Sequence, residues 1–237
     1  MQVIAHRGAS AYAPENTFPA FDLALAMGAD ALETDIRTTR DGVLVLLHDH
    51  RVERTTNGQG DIAALSWAEV QSLDAGSWFA SEFAGARVPS LASFLARCAA
   101  LIPLVLEIKA EGIEHAVIAA LATARQAREI TITSFSFATL AAIKRLQPML
   151  RVGWLTRHFD EEAIARVCAI GGTQICPPAD QITAARVALA KGRGLEVRAW
   201  GVRDEAAMIG VVETGADGMT VNFPDKLIAY LRQRDLR

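Results

Sequence analysis

Val3-Ile4-Ala5-His6-Arg7-Gly8 and Ala31-Leu32-Glu33-Thr34-Asp35-Ile36-Arg37 flank the Ala/Leu-rich stretch from Glu15 to Met27. Two short apolar runs around one helix-length segment read as a strand–helix–strand unit with parallel strands. The same alternation continues down the chain. Further strands are expected near Leu104–Ile108, Ile130–Thr133, Arg151–Leu155, Thr173–Cys176, Glu196–Trp200 and Gly218–Val221. Further helices are expected near Leu91–Ala100, Glu111–Ala127, Phe137–Leu146, Glu161–Ile170, Thr183–Lys191, Glu205–Glu213 and Pro224–Arg232. Asp160 and Asp204 stand at N-cap positions, and Gly28 and Gly171 where helices should end. Eight strand–helix units in 237 residues fit a closed (β/α)8 TIM barrel. An open doubly wound sheet is the weaker choice, because no G-x-G-x-x-G turn follows the first strand.

One segment breaks the rhythm. Residues 50–89 are too many for an ordinary connection in a compact domain. Within them Ser66 and Glu69 have the spacing of a capping box ahead of Val70 and Leu73. Asp74-Ala75-Gly76-Ser77-Trp78-Phe79 is glycine-punctuated and aromatic. This is the pattern of a small insertion, placed after the second strand and its hairpin, over one barrel mouth. No linker or repeat suggests a second domain, so a single domain over residues 1–237 is expected.

Composition narrows the function classes. The chain is 51% hydrophobic and 22% charged, enough to bury a large core. A net charge of −3 disfavours nucleic acid as a main partner. No secretory leader or stretch of 18 apolar residues is found, so no stable membrane association is expected. Cys98, Cys168 and Cys176 lack C-x-x-C spacing and read as buried thiols of a reducing compartment. The expected location is cytoplasmic. Oligomeric state is not legible in these features.

In a parallel barrel, chemistry belongs at the carboxyl ends of the strands. His6-Arg7 closes strand one, Glu33 and Asp35 lie in strand two, and Glu107 and Lys109 close strand three. His48-Asp49 ends the hairpin after strand two, and Trp200 closes strand seven. Residues two apart share a strand face, so Glu33 and Asp35 point together, as do Glu107 and Lys109. Three carboxylates in one mouth repel unless a cation or protons intervene, and hard oxygen ligands suit Mg²⁺ or Ca²⁺ rather than zinc. Asp41-Gly42 signals a two-residue hairpin, which pairs Arg40 with Val43 and Asp35 with His48. Each feature alone has a plainer reading: a salt-bridged acid pair, a Lys109–Glu107 ion pair, a packed Trp200. Their convergence on strand ends usually filled by branched apolar residues favours a functional account.

These residues also carry a family resemblance. His6-Arg7-Gly8, Pro14-Glu15-Asn16-Thr17, Glu33-Thr34-Asp35, Asp41-Gly42, His48-Asp49 and Leu106-Glu107-Ile108-Lys109 resemble, in order and spacing, the glycerophosphodiester phosphodiesterase family. Leu73-Asp74-Ala75-Gly76, Val88-Pro89-Ser90-Leu91, Ser134-Phe135 and Gly215-Ala216-Asp217-Gly218 extend the match along nearly the whole chain. The resemblance implies metal ligands at Glu33, Asp35 and Glu107, and an acid–base pair at His6 and His48. It implies phosphate contacts from Arg7 and Lys109, one divalent cation (Mg²⁺ or Ca²⁺), and a small glycerophosphodiester as substrate. The products would be glycerol 3-phosphate and an alcohol. Residues 50–89 resemble the family's insertion.

Two stretches depart from the pattern. Gly201-Val202-Arg203 stands where the family commonly has Thr-Val-Asn, and Asn222 stands where Asp is more usual. Both are expected to affect substrate-side contacts more than the metal or the histidines. Trp78, Phe79 and Trp200 are candidates for an apolar wall beside the substrate, with Trp200 in the binding set. His115 and His158 read as surface residues, and His50 as a bystander. The rival functions are a barrel enzyme acting on intact phospholipid and a non-catalytic phosphodiester-binding protein.

Overall fold

In the computed structural model, residues 1–124 and 127–237 are described. The strands are β1 (Gln2–His6), β2 (Ala31–Thr38), β3 (Leu44–Leu46), β4 (Leu104–Ile108) and β5 (Ile130–Ser134), then β6 (Arg151–Leu155), β7 (Gln174–Cys176), β8 (Glu196–Ala199) and β9 (Gly218–Val221). Their order is β1-β9-β8-β7-β6-β5-β4-β2-β3, and β1 also pairs with β2. That last pairing closes eight parallel strands into the expected (β/α)8 barrel, leaving β3 as an antiparallel hairpin partner outside β2.

The helices are α1 (Phe18–Met27), α2 (Trp67–Ser72), α3 (Leu91–Cys98), α4 (Glu114–Leu121), α5 (Phe137–Leu146), α6 (Glu161–Ala169), α7 (Ala184–Gly192), α8 (Glu205–Glu213) and α9 (Pro224–Gln233). Ser66 and Glu69 close the capping box at α2. Asp160 and Asp204 cap α6 and α8 through the N–H groups of Ala163 and Ala207. Gly28 ends α1 in the left-handed conformation.

Helix α1 starts later than the expected Glu15, because Asn16 takes a left-handed backbone (φ 57°) and Thr17 becomes the N-cap. Helix α4 is shorter than the expected Glu111–Ala127. Residues 125 and 126 of that span lie outside the described residues.

The hairpin register also differs from expectation. Ile36 pairs with Leu46 and Thr38 with Leu44, so Asp35 faces Leu47 rather than His48. Gly42 alone takes a positive φ (83°), and its N–H reaches Thr39 O. This is a three-residue loop ending in a left-handed glycine, which shifts the partner strand by one residue.

Apolar residues on the outer faces of the strands pack against the helices in two groups. One includes Phe21, Phe94 and Leu140, and the other Ile164, Val187 and Leu227. The insertion has its own small core, where Val52, Ile62 and Val70 pack on Val45 and Leu47 around β3. Asp74 fastens its tip, accepting from the N–H groups of Gly76, Ser77 and Gly85 at 2.8 Å each. No helix of the described residues is long and apolar enough to cross a membrane.

Candidate active site

Parallel registry assembles the site. His6 pairs with Glu33 across β1 and β2, and Asp35 with Glu107 across β2 and β4. Paired residues in a parallel sheet send their side chains to the same face. The single-residue alternation therefore carries all four groups to the barrel interior, at its carboxyl end. Ligand oxygens of Glu33, Asp35 and Glu107 lie within 4.8 Å of one another, and all three residues are buried.

Cations surround this cluster. Arg7 Nε lies 3.0 Å from Asp35 Oδ2, and the Arg7 backbone N–H donates to Glu33 Oε2 at 3.0 Å. Arg7 itself takes a left-handed backbone (φ 57°). Such a conformation costs a non-glycine residue about 1–2 kcal/mol, and here it turns the N–H toward Glu33. Gly8 follows at φ 83°, where a Cβ would sit 2.5 Å from the Ala20 backbone. Only glycine lets this loop lie against α1. Lys109 Nζ contacts Glu107 Oε1 at 2.7 Å, without hydrogen-bond geometry at that oxygen, and Asp35 Oδ1 at 3.4 Å.

Electrostatics divides the three acids. Burial, then Asp35 and Glu107, raises Glu33 to about 8. Burial, then Asp35, raises Glu107 to about 7. Burial also pushes Asp35 upward, yet Arg7 and Lys109 outweigh it and hold that carboxyl to about 2. The cluster therefore retains protons near neutrality unless a cation replaces them. Asp35 Oδ1 and Glu107 Oε1 are buried without hydrogen-bond partners. Two carboxylate oxygens that meet the Lys109 ammonium without hydrogen bonds, beside a third acid, suit a hard divalent cation.

The two histidines line the same mouth, His6 from the end of β1 and His48 from just beyond β3. His6 Nδ1 lies 2.6 Å from Asn222 Oδ1, and its Nε2 is 3.9 Å from Glu33 Oε2. Asn222 thus touches a histidine directly, which corrects the expectation that this departure affects substrate-side contacts more. His48 Nδ1 lies 2.6 Å from Asp49 Oδ1, and its carbonyl accepts from Arg37 Nε at 2.8 Å. Burial first, then Arg7, lowers His6 to about 4. Burial lowers His48 too, with Asp35 opposing.

Other residues brace these groups. Arg54, from the insertion, grips both Glu15 oxygens at 2.8 Å and Asp49 Oδ2 at 2.6 Å. Glu15 in turn accepts from Arg7 at 2.8 Å. A continuous chain of charges therefore runs from Arg7 through Glu15, Arg54 and Asp49 to His48. Asn16 Nδ2 donates to Asp35 Oδ2 at 2.9 Å, while Asn16 Oδ1 accepts from Thr34 Oγ1 at 2.7 Å. Sequence reasoning gave Asn16 and Arg54 no separate role. The polar run Pro14-Glu15-Asn16-Thr17 was the available signal for Asn16. Below the acids, Arg198 is fully buried on β8 among Gln174, Cys176 and Thr220, where a branched apolar residue would be ordinary.

A cavity of about 380 Å³ opens over this floor, lined by His6, Arg7, His48, Glu107, Lys109 and Trp200 among others. Glu33 and Asp35 lie beneath that lining. All eight residues singled out in the sequence are thus gathered at one barrel end. Trp78 and Phe79 are absent from the lining. They stack edge-on with each other, and Phe79 stacks on Phe83 within the insertion, so the proposed apolar wall retains Trp200 alone. Trp200 packs edge-on against Phe135, with ring centroids 5.1 Å apart. His50, His115 and His158 are exposed.

Fold and mouth together define an acid-floored (β/α)8-barrel protein equipped to handle anionic esters. The chain belongs to the glycerophosphoryl diester phosphodiesterase family, whose model matches residues 6–226. It is therefore an enzyme, a phosphoric diester hydrolase. A glycerophosphodiester phosphodiesterase of Caldanaerobacter subterraneus is 34% identical over 237 residues, covering 98% of each chain. One from Bacillus subtilis is 30% identical, covering 94% of this chain and 83% of its own. Among solved structures, an Oleispira antarctica phosphodiesterase in complex with the product sn-glycerol-3-phosphate superposes with a TM-score of 0.90. It is 29% identical, covering 98% of this chain and 97% of its own.

Proposed function

We propose that this chain hydrolyses glycerophosphodiesters to sn-glycerol 3-phosphate and an alcohol, using one divalent cation and two histidines. The observation that carries this reading is the strand registry. It sets three carboxylates within 4.8 Å of one another, with His6 and His48 lining the same cavity above them. Glu33, Asp35 and Glu107 would hold Mg²⁺ or Ca²⁺. When bound, the cation supplies Lewis-acid polarisation of a phosphoryl oxygen and neutralises charge.

The chain's own groups do the rest. Arg7 offers a guanidinium fork and Lys109 a compact charge to the remaining phosphate oxygens. His6 has the neutral Asn222 Oδ1 as partner, so Nδ1 carries the proton and Nε2, 3.9 Å from Glu33 Oε2, keeps its lone pair. His48 has the Asp49 carboxylate as partner, which opposes part of the lowering that burial imposes on the ring. On this reading, the difference in partners supports His6 as general base and His48 as general acid to the leaving alkoxide. Assistance of this kind is typically worth about 10²–10⁴-fold.

The chain is best read as one domain over residues 1–237, with the insertion helping to cover the site through Arg54. Three free thiols suit the reducing cytosol. The test is glycerol 3-phosphate release from glycerophosphocholine and related diesters by metal-stripped protein, before and after Mg²⁺ or Ca²⁺. Release restored by metal, and lost in folded His6→Ala and Glu33→Ala, supports the reading. No release from any glycerophosphodiester with either metal sinks it.

A further inference from the structure

Charge is distributed unevenly around the mouth. On the side of the insertion, Arg7, Arg54, Glu15 and Asp49 satisfy one another. On the opposite side, just beyond β6 and β8, Arg157 and Arg203 line the same cavity as the two histidines. Both are exposed. Among the described residues, neither guanidinium is held in an ion pair or donates a hydrogen bond. The rim acids nearest in sequence, Asp160 and Asp204, accept from the N–H groups of Ala163 and Ala207 at 2.8 Å and serve as helix caps. Glu162 and Asp180 line adjoining clefts rather than this cavity. Glu107 is the one acid among the lining residues, and Lys109 holds it.

The aromatic corner adds a second observation. A quaternary or primary ammonium head group would need an aromatic face or a carboxylate. Phe135 already has Arg157 Cζ 5.1 Å from its centroid and Lys109 Nζ at 5.7 Å. Trp200 meets Phe135 edge-on, and its indole N–H is turned to Thr156 O at 3.3 Å. A cationic alcohol entering here meets guanidiniums and an aromatic ring already engaged by cations. A neutral glycerol arm has no use for two unpaired guanidiniums. An oxyanion does, because a guanidinium fork matches its geometry.

We propose that Arg157 and Arg203 form a head-group subsite for an anionic alcohol. The favoured substrates are glycerophosphodiesters whose second alcohol carries a further phosphate or carboxylate. This rests on the active-site reading above and adds the substrate class to it. The two arginines determine specificity. The bond cleaved and the acid–base steps stay the same.

The experiment compares kcat/KM of the metal-loaded enzyme on three diesters, at low and high salt. They are glycerophosphocholine, glycerophosphoglycerol, and glycerophosphoglycerol bearing a terminal phosphate. The expected order is phosphorylated, then neutral, then choline. The first should exceed the last by about tenfold or more, a ratio that shrinks in salt as exposed charges are screened. Arg157→Gln with Arg203→Gln should collapse that ratio, and Arg203→Gln alone provides the readout if the double variant misfolds. Equal rates, a preference for choline, or an unchanged ratio in the variants overturns the subsite and leaves the hydrolase reading intact. Hydrolysis of none of the three overturns both.

Discussion

Exchanging Asn222 for Asp tests how the His6 ring is tuned. In the native chain the acceptor 2.6 Å from His6 Nδ1 is a neutral amide oxygen. The ring, lowered by burial and then by Arg7, titrates at about 4 instead of 6.5 in the metal-free protein. A carboxylate in that place would put a negative charge about 4 Å from the imidazolium centre, worth ~4 kcal/mol at an effective dielectric of about 20. That corresponds to a ceiling of about three pKa units. Arg7 shares the field and the new carboxylate is itself desolvated, so a net rise of about one to two units is expected. Because the native value lies below the unfolded one, His6 takes up a proton on unfolding between pH 6.5 and about 4. It therefore weakens the native state as pH falls through that window, and the exchange should relieve part of the loss. The assay is an NMR titration of the His6 ring in metal-free protein, assigned with His6→Gln. The kcat/KM pH profile of loaded enzyme then follows, where the acid limb should move the same way. A His6 titration that shifts by less than about 0.3 unit in a folded variant would refute the reasoning.

Other expectations concern the acid floor and its braces. Glu33→Gln should cut kcat by about 10²–10³-fold or more while leaving the metal-free protein equally or more heat-stable. The native carboxyl is stabilising in its neutral form, fully so below 4.5, and that contribution is lost as pH rises through about 8. Metal-free wild type should accordingly lose thermal stability across that range in calorimetry, and the Gln variant should lose less. Binding of Mg²⁺ or Ca²⁺ near pH 7 should release about one proton, because Glu33 and Glu107 are raised to about 8 and about 7. Titration calorimetry in buffers of different ionisation enthalpy measures this, and zero release would place the cation elsewhere. Arg54→Ala should cost no more than about 1 kcal/mol of stability, since its side chain is 44% exposed. It should nonetheless lower kcat about tenfold by loosening Arg7 and His48. Arg54→Lys should rescue little, because a point charge cannot bridge Glu15 and Asp49.

The barrel was legible because parallel strands buried on both faces read as apolar runs, and helices between them break that pattern. The site acids were legible for a related reason. Glu33, Asp35 and Glu107 interrupt runs that should be apolar, and two-residue spacing fixes their common face. Less was visible where a residue acts through a distant partner. Nothing local marks Arg54 as the bridge between Glu15 and Asp49, or Arg198 as the charge within the barrel. The hairpin register failed by one residue because Asp-Gly fits both a two-residue turn and a three-residue loop. Only backbone φ values distinguish the two. Trp78 and Phe79 misled because an aromatic pair in an insertion can stack within its own loop as readily as it can wall a substrate. Asn222 was noticed as a departure, yet its contact with His6 depends on strand closure.

That closure has a consequence for the order of folding. His6 and Asn222 are 216 positions apart, so the hydrogen bond between them joins the end of the first strand to the residue just after the last. Bringing such distant segments together carries a loop-closure cost that local helices do not share. During refolding, helical signal should therefore return before the His6–Asn222 contact forms, and turnover should lag behind it. On the ribosome, a chain that has not yet released its ninth strand has every acid of the floor but an unanchored His6. Catalytic competence arrives last, as the ends of the polypeptide meet.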